Sequence, residues 1–177
     1  LEPLMMGLCS MASFSDAHEC MEIPVIAANL HRAIHPAQSQ IWAVIRETDI
    51  PQRIVYSLAA TYLGRMCISG DVTRLTDEQR DAITRGIAMY RECAPIIRDG
   101  MSLRYGTPIA SMRHPKGWQA VVRYTDKGAL IVLHSFAKGS AGGDNAFKIR
   151  LPLPAAFAAA SVKNVYEAGA QGNPLRR

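Results

Sequence analysis

The feature that most constrains this chain is a change of hydrophobic period near Gly100. Before it, short β-like runs alternate with helical stripes three times, with the strands about 25 to 30 residues apart. Such spacing fits parallel strands joined by helical crossovers, because antiparallel neighbours need only a tight turn. The first run is Ala12–Ser15, ending at Asp16. A helix over Glu22–Ala33 follows, with Ile23, Ile26, Ala27, Leu30 and Ile34 on one stripe and Pro24 tolerated in the first turn. Gln40–Ile45 reads as a buried strand. Asp49 is placed to cap the next helix, Pro51 falls in its first turn, and Ile54, Val55, Leu58 and Tyr62 form its apolar face up to Gly64. Arg65–Ser69 is the third strand and Gly70-Asp71 its turn. Thr76–Gln79 then has the form of a capping box opening a helix through Ile83, Ile87, Tyr90, Ala94 and Ile97, which Pro95 is expected to kink or end. Leu1–Met6 reads as part of a folded element.

After Gly100 the pattern turns to period two. Trp118–Tyr124 and Gly128–Phe136 are strands around an Asp126-Lys-Gly128 turn, 138–145 is a loop, and Ala146–Leu151 and Ser161–Ala168 are further strands. The expected organisation is therefore α/β over 1–100 and a small antiparallel β domain over 101–177. An open doubly wound sheet and a (β/α)8 barrel both accommodate the first part. Three units fall short of either, a barrel needing eight, so the first part is expected to belong to a larger domain. Its strand edges at 12–16 and 40–45 would then be unpaired, and the isolated chain is expected to associate with copies of itself.

Charge and composition narrow the function classes. Residues 1–100 hold nine Arg and no Lys against twelve acids, a net of −3, whereas 101–177 hold eleven Lys or Arg against three acids, a net of +8. Those cations are scattered, as at Arg123, Lys127, Lys148 and Arg150, with no aromatic interleaving. A solvated sheet face is expected and nucleic acid is not. No run reaches the roughly 18 apolar residues of a membrane span, and the compartment stays open. Cys9, Cys20, Cys67 and Cys93 form no C-x-x-C pair; Cys67 and Cys93 read as buried free thiols.

The chemistry-bearing candidates cluster after strands. Ser15-Asp16-Ala-His18-Glu19 sits between a strand and a helix, where βα loops of parallel sheets build active sites. Asp71 occupies the same kind of position, although capping a helix is the commoner task of an Asp there. His18-Glu19-Cys-Met-Glu22 resembles a zinc H-E-x-x-H signature with Glu22 in place of the second His, and His31 and His35 stand four apart just before Pro36. Neither makes a persuasive metal site. No glycine-rich phosphate loop and no G-x-S-x-G elbow occurs, so no cofactor is expected.

In order along the chain, Phe14-Ser-Asp16-Ala-His-Glu19 with the segment to Ile45, then Arg65–Gln79, then Ile87–Gly100, then Pro115-Lys-Gly-Trp118-Gln resemble the melibiase-type α-galactosidases, glycoside hydrolase family 36 and its close relatives. The resemblance covers roughly residues 5 to 136. It implies the C-terminal three βα units of a TIM barrel followed by a small antiparallel β-sandwich, and a retaining glycosidase acting on terminal α-galactosides. It further implies Asp16 as general acid/base, with His18 and Glu19 orienting it or binding a hydroxyl. Asp71 would bind substrate at the barrel mouth or cap a helix, the cap being favoured. Retention requires two carboxyls about 5 to 5.5 Å apart, and the acid must keep its proton near neutral pH through burial or its partner's charge. The family's nucleophile lies on an earlier strand in a Lys-Trp-Asp-type motif that does not occur here, so the upstream part of the same domain is an expected partner. Glu19 replaces the pattern's second Asp, and Glu22-Ile-Pro-Val replaces its Arg-Leu-Lys stretch. Trp42 and Trp118 are expected in cores, Trp118 in the β domain or at its junction with the barrel. The rival readings are a non-catalytic carbohydrate-binding or interaction module and a metal-dependent α/β enzyme using His18 and Glu19.

Overall fold

Three short strands, β1 (Ala12–Phe14), β2 (Ser39–Ile45) and β3 (Arg65–Gly70), pair in parallel in the order β1-β2-β3. They belong to a computed structural model that describes residues 2–14, 19–136, 154–157, 161, 163, 165 and 166. β2 is the central strand, so the unpaired edges among the described residues belong to β1 and β3, not to 40–45 as the sequence suggests. Along β2, Ser39, Ile41, Ala43 and Ile45 are buried while Gln40, Trp42 and Val44 are not, the alternation of a sheet with one packed face.

That packed face receives both crossover helices, α2 (Glu22–Leu30) and α3 (Pro51–Thr61). Ile41 clusters with Ile23, Ala27 and Ala28 of α2, and Ala43 and Ile45 cluster with Ile54, Val55 and Leu58 of α3. Each fully buried Leu or Ile contributes about 1.5–3 kcal/mol, so this face carries much of the stability. Gln40, Trp42 and Val44 join neither cluster, and Val44 remains 40% exposed. Among the described residues both crossover helices lie on one face of the sheet, as right-handed crossovers between strands advancing in one direction require.

Helix limits follow local chemistry. α2 stops at Leu30 rather than Ala33 because the next amides, of Arg32 and Ala33, bond only three residues back, and His35 is extended ahead of Pro36. Asp49 does not cap α3. Ile50 occupies that position without a side-chain bond, and the Asp49 carboxylate instead accepts from the Arg46 amide at 2.9 Å and pairs with Arg53 at 2.9 Å. The capping box forms as the pattern predicts, Thr76 and Gln79 bonding reciprocally at the start of a long helix, α4 (Asp77–Asp99). Pro95 does not end it. The ring removes one amide from the helix at a position where Arg91 and Pro95 are both exposed, while buried Cys93 and Ile97 anchor the last turns.

The second sheet is antiparallel, β4 (Met101–Gly106), β5 (Trp118–Tyr124) and β6 (Ala129–Ser135) in that order, with the Asp126–Gly128 turn closed by Thr125 N–H to the Gly128 carbonyl. β4 is absent from the sequence reading. Met101-Ser-Leu-Arg-Tyr alternates apolar and polar residues in the period of a strand, with Ser102 and Arg104 making polar contacts at the junction with α2. Val121, Leu130 and Val132 share one core with Cys93, Ile97, Ala60 and Ala28, so the helices lie between the two sheets and the core crosses position 100. Gln119 Nε2 donates to the Pro24 carbonyl at 2.9 Å and His134 Nε2 to the Tyr56 carbonyl at 3.3 Å across the same junction.

Arg123 is not a solvated cation. It is 3% exposed and donates to the Ile96 and Gly100 carbonyls and to Ser102 Oγ, closing the C-terminal end of α4. Burial brings its pKa down to about 10, which leaves it charged at neutral pH. Trp118 is half-buried on the sheet face away from this junction, the face of Ala120 and Val122. The expected strand 146–151, the loop 138–145 and most of 161–168 lie outside the described residues, as do Lys148 and Arg150. Tyr166 is described: its hydroxyl donates to the Ala82 carbonyl at 2.8 Å.

Candidate active site at the carboxyl edge of the parallel sheet

All three parallel strands end at the same edge, so the segments after Phe14, Ile45 and Gly70 gather there. The first of these contains Asp16 and His18, and both lie outside the described residues. Glu19, which follows, is exposed; its carbonyl accepts from the Glu22 amide at 3.1 Å and so shapes the entry to α2.

The loop after β2 is tightly held. Its two ends are joined by the Asp49 amide to the Arg46 carbonyl and by the Arg46 amide to the Asp49 carboxylate. Gln79 then reaches from α4 and donates to the Glu47 and Asp49 carbonyls at 2.9 and 2.6 Å. Gln79 therefore caps its own helix with its oxygen and fixes the neighbouring loop with its nitrogen. Cys20 lies close enough to Arg53, Glu19 and Asp49 to feel all three charges, with burial the larger influence holding its thiol above the usual range. The structure thus brings Glu19, Cys20, Asp49 and Arg53 together. Of these, only Glu19 is legible from the sequence as a site residue.

Asp71 lies at the end of β3. Gly70 has φ +99°, and a Cβ there would stand 2.0 Å from the Ile45 carbonyl oxygen, so only glycine lets the chain turn this close to β2. Asp71 does not cap α4, since Thr76 does. Its Oδ1 accepts from the Thr73 amide at 2.9 Å and the Thr73 hydroxyl at 2.6 Å, closing a local turn. The hydroxyl first and the amide second hold its carboxyl below the usual range. Oδ2 has no partner among the described residues, so an ionised, exposed Asp71 presents one free acceptor oxygen. No hydrogen bond or ion pair among the described residues joins Asp71 to Glu19. The Arg74–Glu47 pair at 3.4 Å links the second and third loops, exposed on both sides and worth at most about 1 kcal/mol.

Trp42 is not in a core. It lies on the open face of β2, half-buried, and donates from Nε1 to Ser13 Oγ at 2.6 Å. Cys67 and Ser69, its neighbours in register and one step on, are half-buried on that same face. The signal for this was the period of β2 itself, which a reading of Gln40–Ile45 as one continuous apolar run hides. His31 and His35 are spent elsewhere, His31 on the Leu63 carbonyl and Ser102 and His35 on the Ala37 amide. Among the described residues no group of three or more His, Cys, Asp or Glu is arranged to hold a metal ion. All four cysteines are free thiols.

No family model, no curated protein and no solved structure matches this chain.

Proposed function

We propose that this chain forms the C-terminal wall of a retaining α-glycosidase barrel with an attached β domain, and that Asp16 is its general acid/base. One observation carries the reading: a parallel sheet with both crossover helices on one face, its other face open, and acidic loops after all three strands at one edge. An open inner face bearing Trp42, Gln40 and Ser69 suits the lining of a sugar-sized cavity, because an indole covers the apolar face of a pyranose while amide and hydroxyl groups meet its oxygens. Asp71 would accept from a sugar hydroxyl through its free Oδ2, and His18 and Glu19 would orient Asp16. The ordered sequence resemblance to the α-galactosidases supplies the sugar class.

In this mechanism an upstream carboxylate attacks the anomeric carbon as Asp16 protonates the departing oxygen. Water, deprotonated by Asp16, then releases the sugar with net retention. The chain alone is inactive, for want of the nucleophile. The test uses the chain joined to the sequence encoded before Leu1 and aryl α-galactosides of graded leaving-group acidity. Asp16→Asn should slow the poor leaving groups far more than the activated ones, since only the former need a proton. Equal losses across the series, or activity of the isolated chain, overturn the assignment. Sugar binding untouched by Asp16→Asn and lost on Trp118→Ala would point instead to a non-catalytic module.

A further inference from the structure

At the opposite end of the helical layer, a cleft of about 150 Å³ opens between α2 and the second sheet, lined by Ala28, His31, Arg32, Ser102, Arg104 and Val121. We propose that this cleft binds a small tetrahedral oxyanion, phosphate or sulfate, held between the Arg32 and Arg104 guanidiniums.

The argument begins with which donors are free. His31 Nε2 faces the Leu63 carbonyl, which can only accept, so Nε2 carries the proton and Nδ1 accepts from the Ser102 hydroxyl at 2.9 Å. Ser102 Oγ in turn accepts from Arg123 Nη1 at 2.8 Å. His31 and Ser102 are therefore saturated and form a fixed floor. The walls are different. Arg32 is exposed and its side chain makes no hydrogen bond or ion pair among the described residues, and the Arg104 side chain donates only to the neutral Asn29 amide oxygen. Both retain guanidinium N–H groups, the donor geometry that suits tetrahedral oxyanions.

The charge balance points the same way. Arg123 stands behind Ser102 with only neutral acceptors, a third guanidinium behind the two that line the cleft. The nearest carboxylate felt by Arg123 is Asp99, which is exposed and already bidentate with Arg98. Burial first, and the neighbouring Arg32 charge second, hold Arg104 below its usual pKa. An anion between them would relieve that repulsion.

Position separates this cleft from the candidate active site. α2 leaves the carboxyl edge of the sheet at Glu22 and ends at the amino edge, and Leu63 lies two residues before β3 begins. The ligand is thus distinct from the reacting sugar. The competing explanation is that both arginines merely offset the negative C-terminal end of α2, a role that needs no anion.

Calorimetric titration of the whole chain with sodium phosphate and with sodium sulfate, at constant ionic strength set by chloride, distinguishes the two. Saturable binding with a dissociation constant of about 1 mM is expected for both anions. Arg32→Gln and Arg104→Gln should each weaken it by about tenfold or more, a loss of roughly 1.4 kcal/mol, and the exposed Arg113→Gln should leave it unchanged. The Arg32 guanidinium makes no hydrogen bond or ion pair among the described residues, so its variant tests the site even where Arg104→Gln fails to fold. No saturable heat up to about 20 mM anion, or binding untouched by Arg32→Gln, overturns the proposal and leaves the helix-end role.

Discussion

Acid should unfold this chain earlier than its carboxylates alone would dictate, and His134 should be the largest single cause. The side chain is 2% exposed, stacked edge-on against Tyr56 with ring centres 4.7 Å apart. Its Nε2 proton is committed to the Tyr56 carbonyl, and Nδ1 has no partner among the described residues. A second proton would therefore sit on a buried nitrogen with no acceptor. Burial pushes the pKa down to about 4, against 6.5 in the unfolded chain. Between those two values the unfolded state binds a proton that the folded state refuses. Stability from this group is complete above about pH 6.5 and drains away as the pH falls toward 4. A difference of about 2.5 pKa units corresponds to roughly 3 kcal/mol, a large part of a typical domain's margin. Urea unfolding at steps from about pH 7 to about pH 4.5 measures it, comparing the native chain with His134→Phe, which keeps an aromatic edge but cannot titrate. The variant may start lower, having lost a hydrogen bond; its curve should nonetheless fall less steeply with acid. Parallel curves for the two proteins would refute the reasoning.

Four further outcomes follow from single contacts. Arg123→Met should cost about 1–3 kcal/mol in denaturant unfolding, since its bonds to the Ile96 and Gly100 carbonyls and to Ser102 Oγ are lost together; an unchanged midpoint would remove Arg123 from the junction. Gly64→Ala should destabilise by about 1–3 kcal/mol, because its Cβ would stand 2.3 Å from the Ser39 carbonyl oxygen, and a neutral result would mean β2 and α3 can part there. Thr76→Ala should cost about 1 kcal/mol in thermal or urea melts through loss of the α4 cap. Thr73→Val should raise the Asp71 pKa toward the ordinary carboxylate range, followed by NMR titration, and no movement would mean that the hydroxyl does not hold that carboxylate.

Much of the framework was legible because it depends on local rules. Ile54, Val55, Leu58 and Tyr62 are all buried as the helical stripe demands, and the Thr76–Gln79 box forms with both bonds. What escaped depends on contacts made far along the chain. Asp49 has the right residue type for a cap, but Arg53 and the Arg46 amide offer its carboxylate better use. Arg123 reads as a surface cation until the end of α4 arrives and presents the Ile96 and Gly100 carbonyls to it. Trp42 reads as core because Trp is apolar and the run around it is too; the placement of α2 and α3 on the odd-numbered face leaves it on the other one. β4 was legible in the strict alternation of Met101-Ser-Leu-Arg-Tyr; what no local pattern announces is that Ser102 and Arg104 face the end of α2. Asp16 and His18, on which the proposed chemistry turns, lie outside the described residues.

The helical layer has a sheet on either side, and its two neighbours are not equal. One sheet brings strand ends that aim loops; the other brings Val121, Leu130 and Val132, a backstop against which those helices brace. Severing the chain at Gly100 would therefore strip oily surface from both pieces, and neither should hold its shape by itself. Any change in the hairpin that shifts this backstop would travel through α2 and α3 to the loops they follow, so residues far from the acidic rim can set how well it is aimed.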